Sequence, residues 1–158
     1  MLLDHGHIIR FRCLHLLLQG RSSVKSISGH VQHGHATLWA PHGDAAIQHI
    51  VKGVAQELDQ VGATLGRLGG EEFGVFLELT PVSTSGGDPH SLIERLMKRV
   101  CVALESNPLE TAAGLITLTT SIGATIYIAG ETPDATVSRA DQALYEAKNK
   151  GRNQVQLG

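Results

Sequence analysis

The residues best suited to chemistry are Gly69-Gly70-Glu71-Glu72, inside the tract Arg67-Leu68-Gly69-Gly70-Glu71-Glu72-Phe73. Adjacent glycines allow the positive φ angles of a tight turn and let a ligand approach the backbone closely. Two carboxylates at such a turn are hard oxygen donors. They suit Mg²⁺, which binds through one or two carboxylates together with substrate phosphates. An ordinary surface hairpin with two solvated acids has the same local sequence, so the motif does not decide its own meaning. A second group stands near the C-terminus, where Lys148 and Arg152 are four residues apart. Two cations at a helix end complement its dipole. They can equally clamp a phosphate chain, with Arg offering a bidentate fork.

The elements that must position these groups follow from periodicity. Ile47, Ile50, Val51, Val54 and Leu58 fall at helical spacing from Asp44 to Gln60, and Gly62 stops the run. Residues 63–68 and 73–79 read as two strands around the Gly-Gly turn. Residues 81–89 read as a loop. Ser91 and Glu94 have the spacing of a capping box opening a helix whose Leu92, Leu96, Val100 and Leu104 repeat every four residues. Residues 115–128 read as a strand, with Gly123 as a bend or bulge. Thr132-Pro133 supplies an N-cap and a first-turn proline for a helix with Val137, Ala140, Leu144 and Ala147 on one stripe. Gly151 ends that helix, and residues 153–157 form a last strand. The order α-β-β-α-β-α-β with mostly antiparallel strands predicts an α+β fold, a central antiparallel-rich sheet flanked by helices.

Residues 1–42 differ from the rest. They hold seven of the nine histidines and show no sustained period, so the expected boundary lies at 43, with an atypical His-rich segment at 1–42 and the regular domain at 43–158. Residues 8–18 suit a short strand or helix, and 22–28 a loop. His30, His33 and His35 have a spacing that can hold Zn²⁺ or Ni²⁺, but no Cys or acid stands nearby, which favours a polar loop.

The 158 residues suit one domain, and 42 % hydrophobic content marks it as globular. A formal charge of −2 argues against nonspecific nucleic-acid binding. Cys13 and Cys101 are no disulfide framework, and with no membrane-length apolar run or signal peptide the expected setting is cytoplasmic. Cys101 reads as a small apolar core residue.

Three tracts together resemble one family. Arg67 to Phe73, then Thr120-Ser121-Ile122-Gly123-Ala124, then Ala140 to Lys148 with Gly151-Arg152-Asn153, look like the GGDEF domain of diguanylate cyclases in its GGEEF form. The resemblance implies a fold similar to the palm of nucleotide cyclases and polymerases. It implies a homodimer in which each protomer holds one GTP and the pair condenses to cyclic di-GMP with release of pyrophosphate. It implies Mg²⁺ (or Mn²⁺) as cofactor, and an upstream sensory partner. Carried over by position, Glu71 and Glu72 resemble the metal ligands and catalytic acids. Gly69 and Gly70 would let the nucleotide lie against the hairpin, and Lys148 and Arg152 match the triphosphate-binding pair. Asp44 matches the acid that reads the guanine edge, where a carboxylate can accept both N1–H and N2–H.

The chain departs from the family pattern upstream of Gly43-Asp44. Ile27 stands where a metal-binding Asp is expected, Gln32 replaces a Lys and His35 a guanine-binding Asn, and no Asp occurs between Asp4 and Asp44. A shifted reading frame or misplaced start would produce such a join. Gln60-Val61-Gly62-Ala63 replaces the family's Arg-x-x-Asp product site, so product feedback there is not expected. The intact Glu71, Glu72, Lys148 and Arg152 favour a working cyclase. The missing upstream residues favour a catalytically silent domain that binds GTP or a protein partner.

Overall fold

The computed structural model describes residues 14–24, 35–69, 72–77, 88–112 and 114–158, with side chains described from Gly43 onward except at Gly69. Among the described residues the strands and α-helices are β1 (Leu14–Val24), α1 (His35–Leu58), β2 (Thr64–Gly69), β3 (Glu72–Phe76), α2 (Pro89–Ser106), β4 (Leu109–Thr111), β5 (Gly114–Ile126), α3 (Pro133–Asn149) and β6 (Val155–Leu157), with a 3-10 turn at Asp59–Val61 after α1. One sheet runs β2-β3-β1-β5-β4, and β6 joins β5 beyond β4. Its pairs are antiparallel except β5–β6. This is the expected α+β architecture.

The sheet has two differently covered faces. Ile116, Leu118, Ile122 and Ala124 alternate along β5 and join Phe73 and Val75 of β3 in one core with Ile50 and Val54 of α1 and Met97 and Leu104 of α2. α1 and α2 therefore share that face. Successive strand residues point to opposite sides, so Gly123 faces the other way, against α3. A Cβ on Gly123 would overlap Ala140 O and Leu144 N and come within 2.7 Å of Leu144 Cβ. The residue is buried, and the β1–β5 register runs through it without interruption, Leu17 opposite Gly123. The expected bend or bulge is thus corrected: glycine is required here by close helix–strand approach.

The structure departs from the sequence expectations at several other points. β1 extends through Val24, into residues expected as loop, and lies between β3 and β5. α1 begins at His35, ahead of the expected start at Asp44. A short strand, β4, precedes β5 and folds back on it, Leu109 opposite Ile116. The expected capping box at Ser91 and Glu94 gives way to Asp88, whose carboxylate accepts from His90 N and Ser91 N, with Pro89 in the first turn. A carboxylate at this end also suits the helix dipole, and the Ser91 amide and hydroxyl hold its pKa below the usual value. Glu94 pairs with Lys98 at 2.7 Å instead. Thr132 caps α3 as expected, accepting from Ala135 N. Cys101 is buried with its Sγ 3.5 Å from Thr120 O, and burial pushes the thiol up to about 12.

The start of α3 is anchored by charge. Arg139 Nη2 donates to Glu131 Oε1 at 2.6 Å and to Ile126 O at 2.7 Å, and its Nε donates to Glu131 Oε2 at 3.3 Å. Arg139 Nη1 donates to Thr125 Oγ1 and, at 3.2 Å, to Gly158 O. Glu131 Oε1 also accepts from Ile128 N at 2.7 Å and Thr136 Oγ1 at 2.8 Å. One guanidinium thereby joins the end of β5, the β5–α3 connection and the residue after β6. The Arg139 hydrogen bonds, with the Ile128 amide next, hold the Glu131 carboxyl at about 2 instead of its ordinary 4.5.

Two outcomes are expected. Gly123→Ala inserts a methyl into backbone atoms of α3 and should cost about 3 kcal/mol, the upper range for overpacking, read as a lower urea midpoint with unchanged slope. Glu131 has a depressed folded pKa, so its contribution is complete above pH 4.5 and lost as pH falls toward 2. Wild type should therefore lose stability across that window more steeply than Glu131→Gln. Equal slopes in denaturation series at stepped pH would show that the network does not act through this carboxylate.

Candidate functional site

The β2–β3 hairpin carries the turn. Thr64 pairs with Phe76, Leu65 with Val75, Gly66 with Gly74 and Arg67 with Phe73; the register then shifts, and Gly69 pairs with Glu72. This bulge at Leu68 was not expected from sequence. Bulges bend a strand and re-aim the residues after them, and here the shift falls immediately before Gly69. Leu68 is 53 % exposed, and its Cδ atoms lie 3.5 Å from where a Gly74 Cβ would be. Glu72 is exposed on β3. Gly70 and Glu71 lie outside the described residues, as do His30 and His33, while His35 opens α1.

The register brings Lys148 and the hairpin to one level. Glu72 is opposite Gln19, which is opposite Ser121, so these three form a row across β3, β1 and β5. α3 starts beyond the C-terminal end of β5 and returns along it, because β6 then runs parallel to β5 from Ile122. Leu144 lies over Gly123. Lys148 is one turn further along α3, about 5.4 Å, which matches between one and two strand residues at about 3.3 Å each. It is therefore level with about Ser121, in the row that ends at Glu72. Two strand spacings, about 10 Å in all, separate that row's ends. The cation at the end of α3 and the acid beside the turn thus share one end of the sheet.

Lys148 is half-buried in the last turn of α3, and Arg152 is exposed just beyond it. Among the described residues neither forms an ion pair, whereas neighbouring Lys150 pairs with Glu146 at 3.1 Å and with Gln156 Oε1 at 2.7 Å. Lys150 is thus used within the fold. Asp44 is exposed in the first half of α1, the helix on the face opposite α3. Among the described residues no hydrogen bond or ion pair joins Asp44 to the other candidates.

The donor set around the turn limits what it can hold. β1, the strand beside β3, reads Leu14-His15-Leu16-Leu17-Leu18-Gln19-Gly20-Arg21-Ser22-Ser23-Val24 and contains no acid. Among the described residues no group of three His, Cys, Asp or Glu is placed to hold a metal ion. Among the described residues Glu72 is the carboxylate beside the turn, and Glu71 precedes it in the sequence. Such a set fits a Mg²⁺ ion that completes its shell with water and phosphate oxygens, because this ion needs few protein ligands.

Sequence reasoning missed two further features of this region. Asn153 Nδ2 donates to Glu105 Oε2 at 2.9 Å, across 48 positions of chain. The Arg139–Glu131 network links a loop to a helix. Neither pair recurs at a helical or strand period, so no local pattern announces it.

Comparison with known proteins matches these features to one group. The family described as "Diguanylate cyclase, GGDEF domain" matches residues 32–154, a span that starts ahead of residue 43. Diguanylate cyclase A of Treponema denticola is 34 % identical over 126 residues, covering 79 % of this chain and 30 % of that protein. Diguanylate cyclase DgcM of Escherichia coli K12 is 42 % identical over 94 residues, covering 60 % of this chain and 20 % of that protein. The chain thus spans less than a third of the length of these curated relatives. The active GGEEF domain of a diguanylate cyclase from Vibrio cholerae superposes with a TM-score of 0.66 at 22 % identity, covering 94 % of this chain and 83 % of that one. The coiled coil and GGDEF domain of DgcB from Caulobacter crescentus, in complex with c-di-GMP, gives 0.69 at 21 % identity, covering 94 % and 70 %. With the family match extending over most of its length, this chain belongs to the GGDEF-domain family of diguanylate cyclases.

Proposed function

We propose that this chain is a diguanylate cyclase domain that binds one GTP per protomer and, as a homodimer, condenses two GTP into cyclic di-GMP. In that reaction the 3′-oxygen of each GTP bonds to the α-phosphorus of the other, its proton is lost, and two pyrophosphates leave. The observation that carries the reading is the shared level of Glu72, beside the glycine turn, and Lys148, at the end of α3. A triphosphate lying across that end would meet cations from α3 and acids from the hairpin. Glu71 and Glu72 would hold Mg²⁺ (or Mn²⁺), which supplies neutralisation of phosphate charge when bound. Lys148 and Arg152 would grip phosphate oxygens, Arg152 bidentately. Gly69 and Gly70 would keep the hairpin backbone open to the nucleotide, and Asp44 would accept from the guanine edge. A GTP-using domain of this kind would work in the cytoplasm, where GTP is available. Among the described residues no helix is long and apolar enough to cross a membrane.

A second reading has its own support. β1 brings no carboxylate to the strand beside the turn, which favours a domain that binds GTP or a partner protein without completing the condensation.

Incubation of the protein with GTP and Mg²⁺, followed by chromatography of the nucleotides, separates the two. Cyclic di-GMP that vanishes in Glu71→Gln and Glu72→Gln, at a rate rising with protein concentration, is the expected result. GTP binding without product would establish the silent reading. Lys148→Ala should weaken GTP binding about 10- to 100-fold, the range for one lost charged hydrogen bond. With so few carboxylates, Mg²⁺ alone should bind weakly, and chelation should reduce affinity for GTP far more than for guanosine, measurable by calorimetry.

A further inference from the structure

The turn that carries Arg152 is strained. Gly151, Arg152 and Asn153 have φ of 116, 64 and 46° in succession, and Arg152 and Asn153 are the non-glycine residues with positive φ among those described. Glycine adopts this region freely and Asn tolerates it. An arginine there costs about 1–2 kcal/mol, so its surroundings must hold it.

Four hydrogen bonds do so. Arg152 N donates to Ala147 O at 3.0 Å, and Gln154 Nε2 donates to the same carbonyl at 3.1 Å. Gln154 O accepts from Ile122 N at 2.9 Å. These three tie the turn to α3 and β5, the elements it connects or adjoins. The fourth comes from elsewhere: Asn153 Nδ2 donates to Glu105 Oε2 at 2.9 Å, in the last turn of α2 on the other side of the sheet. Asn153 Oδ1 is buried and has no hydrogen-bond partner among the described residues. Glu105 is therefore the amide's polar anchor. A carboxylate in a helix's last turn faces the negative end of the dipole, at a cost of about 0.3–1 kcal/mol. α2 has no basic residue in that turn to offset it. Glu105 thus stands where the helix alone disfavours it, and its visible bond is to the residue after Arg152.

We propose that Glu105 is a positioning residue for Arg152: through Asn153 it locks the left-handed turn and so fixes where the guanidinium meets the phosphate chain. The proposal rests on the reading above that Arg152 contacts the triphosphate. A guanidinium on a loosened turn would still be present but would pay ordering entropy on each binding event.

The test compares Glu105→Ala, Glu105→Gln, Arg152→Ala and the Glu105→Ala/Arg152→Ala double variant. Affinities for GTP and GMP are measured by calorimetry, and hydrogen exchange is followed at the Arg152 amide. Glu105→Ala should lower GTP affinity about fivefold to tenfold while leaving GMP affinity within twofold, and should speed exchange at Arg152. Glu105→Gln, which still offers an oxygen to Asn153, should restore both. In the Arg152→Ala background, Glu105→Ala should add nothing. Equal losses for GTP and GMP, or no recovery with Gln, would mean that Glu105 serves stability only and would overturn the proposal. If Arg152→Ala leaves GTP affinity unchanged, the phosphate role of Arg152 fails and the positioning role with it; the exchange data then show separately whether Glu105 holds the turn.

Discussion

The close approach of α3 to β5 at Gly123 is the constraint on which the rest depends. Any side chain at that position would push the helix off the sheet, and the end of α3 would move with it. Lys148 is level with the Glu72 row only because Leu144 sits directly over Gly123. The apolar stripe of α3 supports the same seat with small residues: Ala140, Ala143 and Ala147 are buried beside Leu144. Small residues permit a short helix–sheet distance but bury little area each, at about 25 cal/mol per Å². The electrostatic anchor at Arg139 and Glu131 complements them at the opposite end of the helix. Packing sets the height of α3 and the charged network sets its starting point.

The two faces of the sheet divide the labour. The larger side chains, Phe73, Met97, Leu104 and Leu118, are on the side covered by α1 and α2, where bulk burial supplies most of the stabilisation. The α3 side is thinner and is the side to which Glu72 and Gly74 point by alternation. Keeping charge and glycine away from the main core lets the hairpin retain the exposed Glu72 without burying an unpaired carboxylate, which would cost several kcal/mol. The same separation explains why the strained turn at Arg152 is tied to α2: the thick, well-packed layer is the firmer support for a residue held off its preferred conformation.

Much of the fold could be read from the sequence where one face of an element is apolar. The stripe Ile47, Ile50, Val54 and Leu58 marked α1 from Asp44 on, and Thr132-Pro133 marked the start of α3, because period and cap chemistry are local. β1 was harder to read. Its register positions Leu16 and Leu18 oppose Val75 and Phe73, and Leu17 opposes Gly74 and Gly123. A strand between two others has neighbours on both edges, and its run Leu16-Leu17-Leu18 shows no alternation. A strand glycine such as Gly123 commonly marks a bulge; the cause of this one, helix backbone at Ala140 and Leu144, has no local trace. The cap at Asp88 is hidden in the sequence by Ser91 and Glu94, whose spacing has the form of a capping box. For the site, glycines, acids and cations were legible as residue types and in their order along the chain. The common level of Glu72 and Lys148 was not, since it depends on the register of three strands and the rise of one helix.

Fold and chemistry make separable demands on β1. Pairing between β3 and β5 requires extended backbone and suitable residues at the rows of Val75, Phe73 and Ile122, and Leu14–Val24 meets it without any acid. A carboxylate on that strand would add nothing to pairing. Its absence falls on ion binding alone. If the two turn carboxylates hold the ion as proposed, a cation's net attraction would depend on the charge the nucleotide brings, so metal and triphosphate would bind as linked partners, each raising the other's affinity by the same factor. On the proposed function, a grip of Lys148 and Arg152 on the phosphates would matter more here than where a protein supplies a third carboxylate. Under the proposed function, the bonds that hold the Arg152 turn would then bear on metal retention as well as on nucleotide affinity.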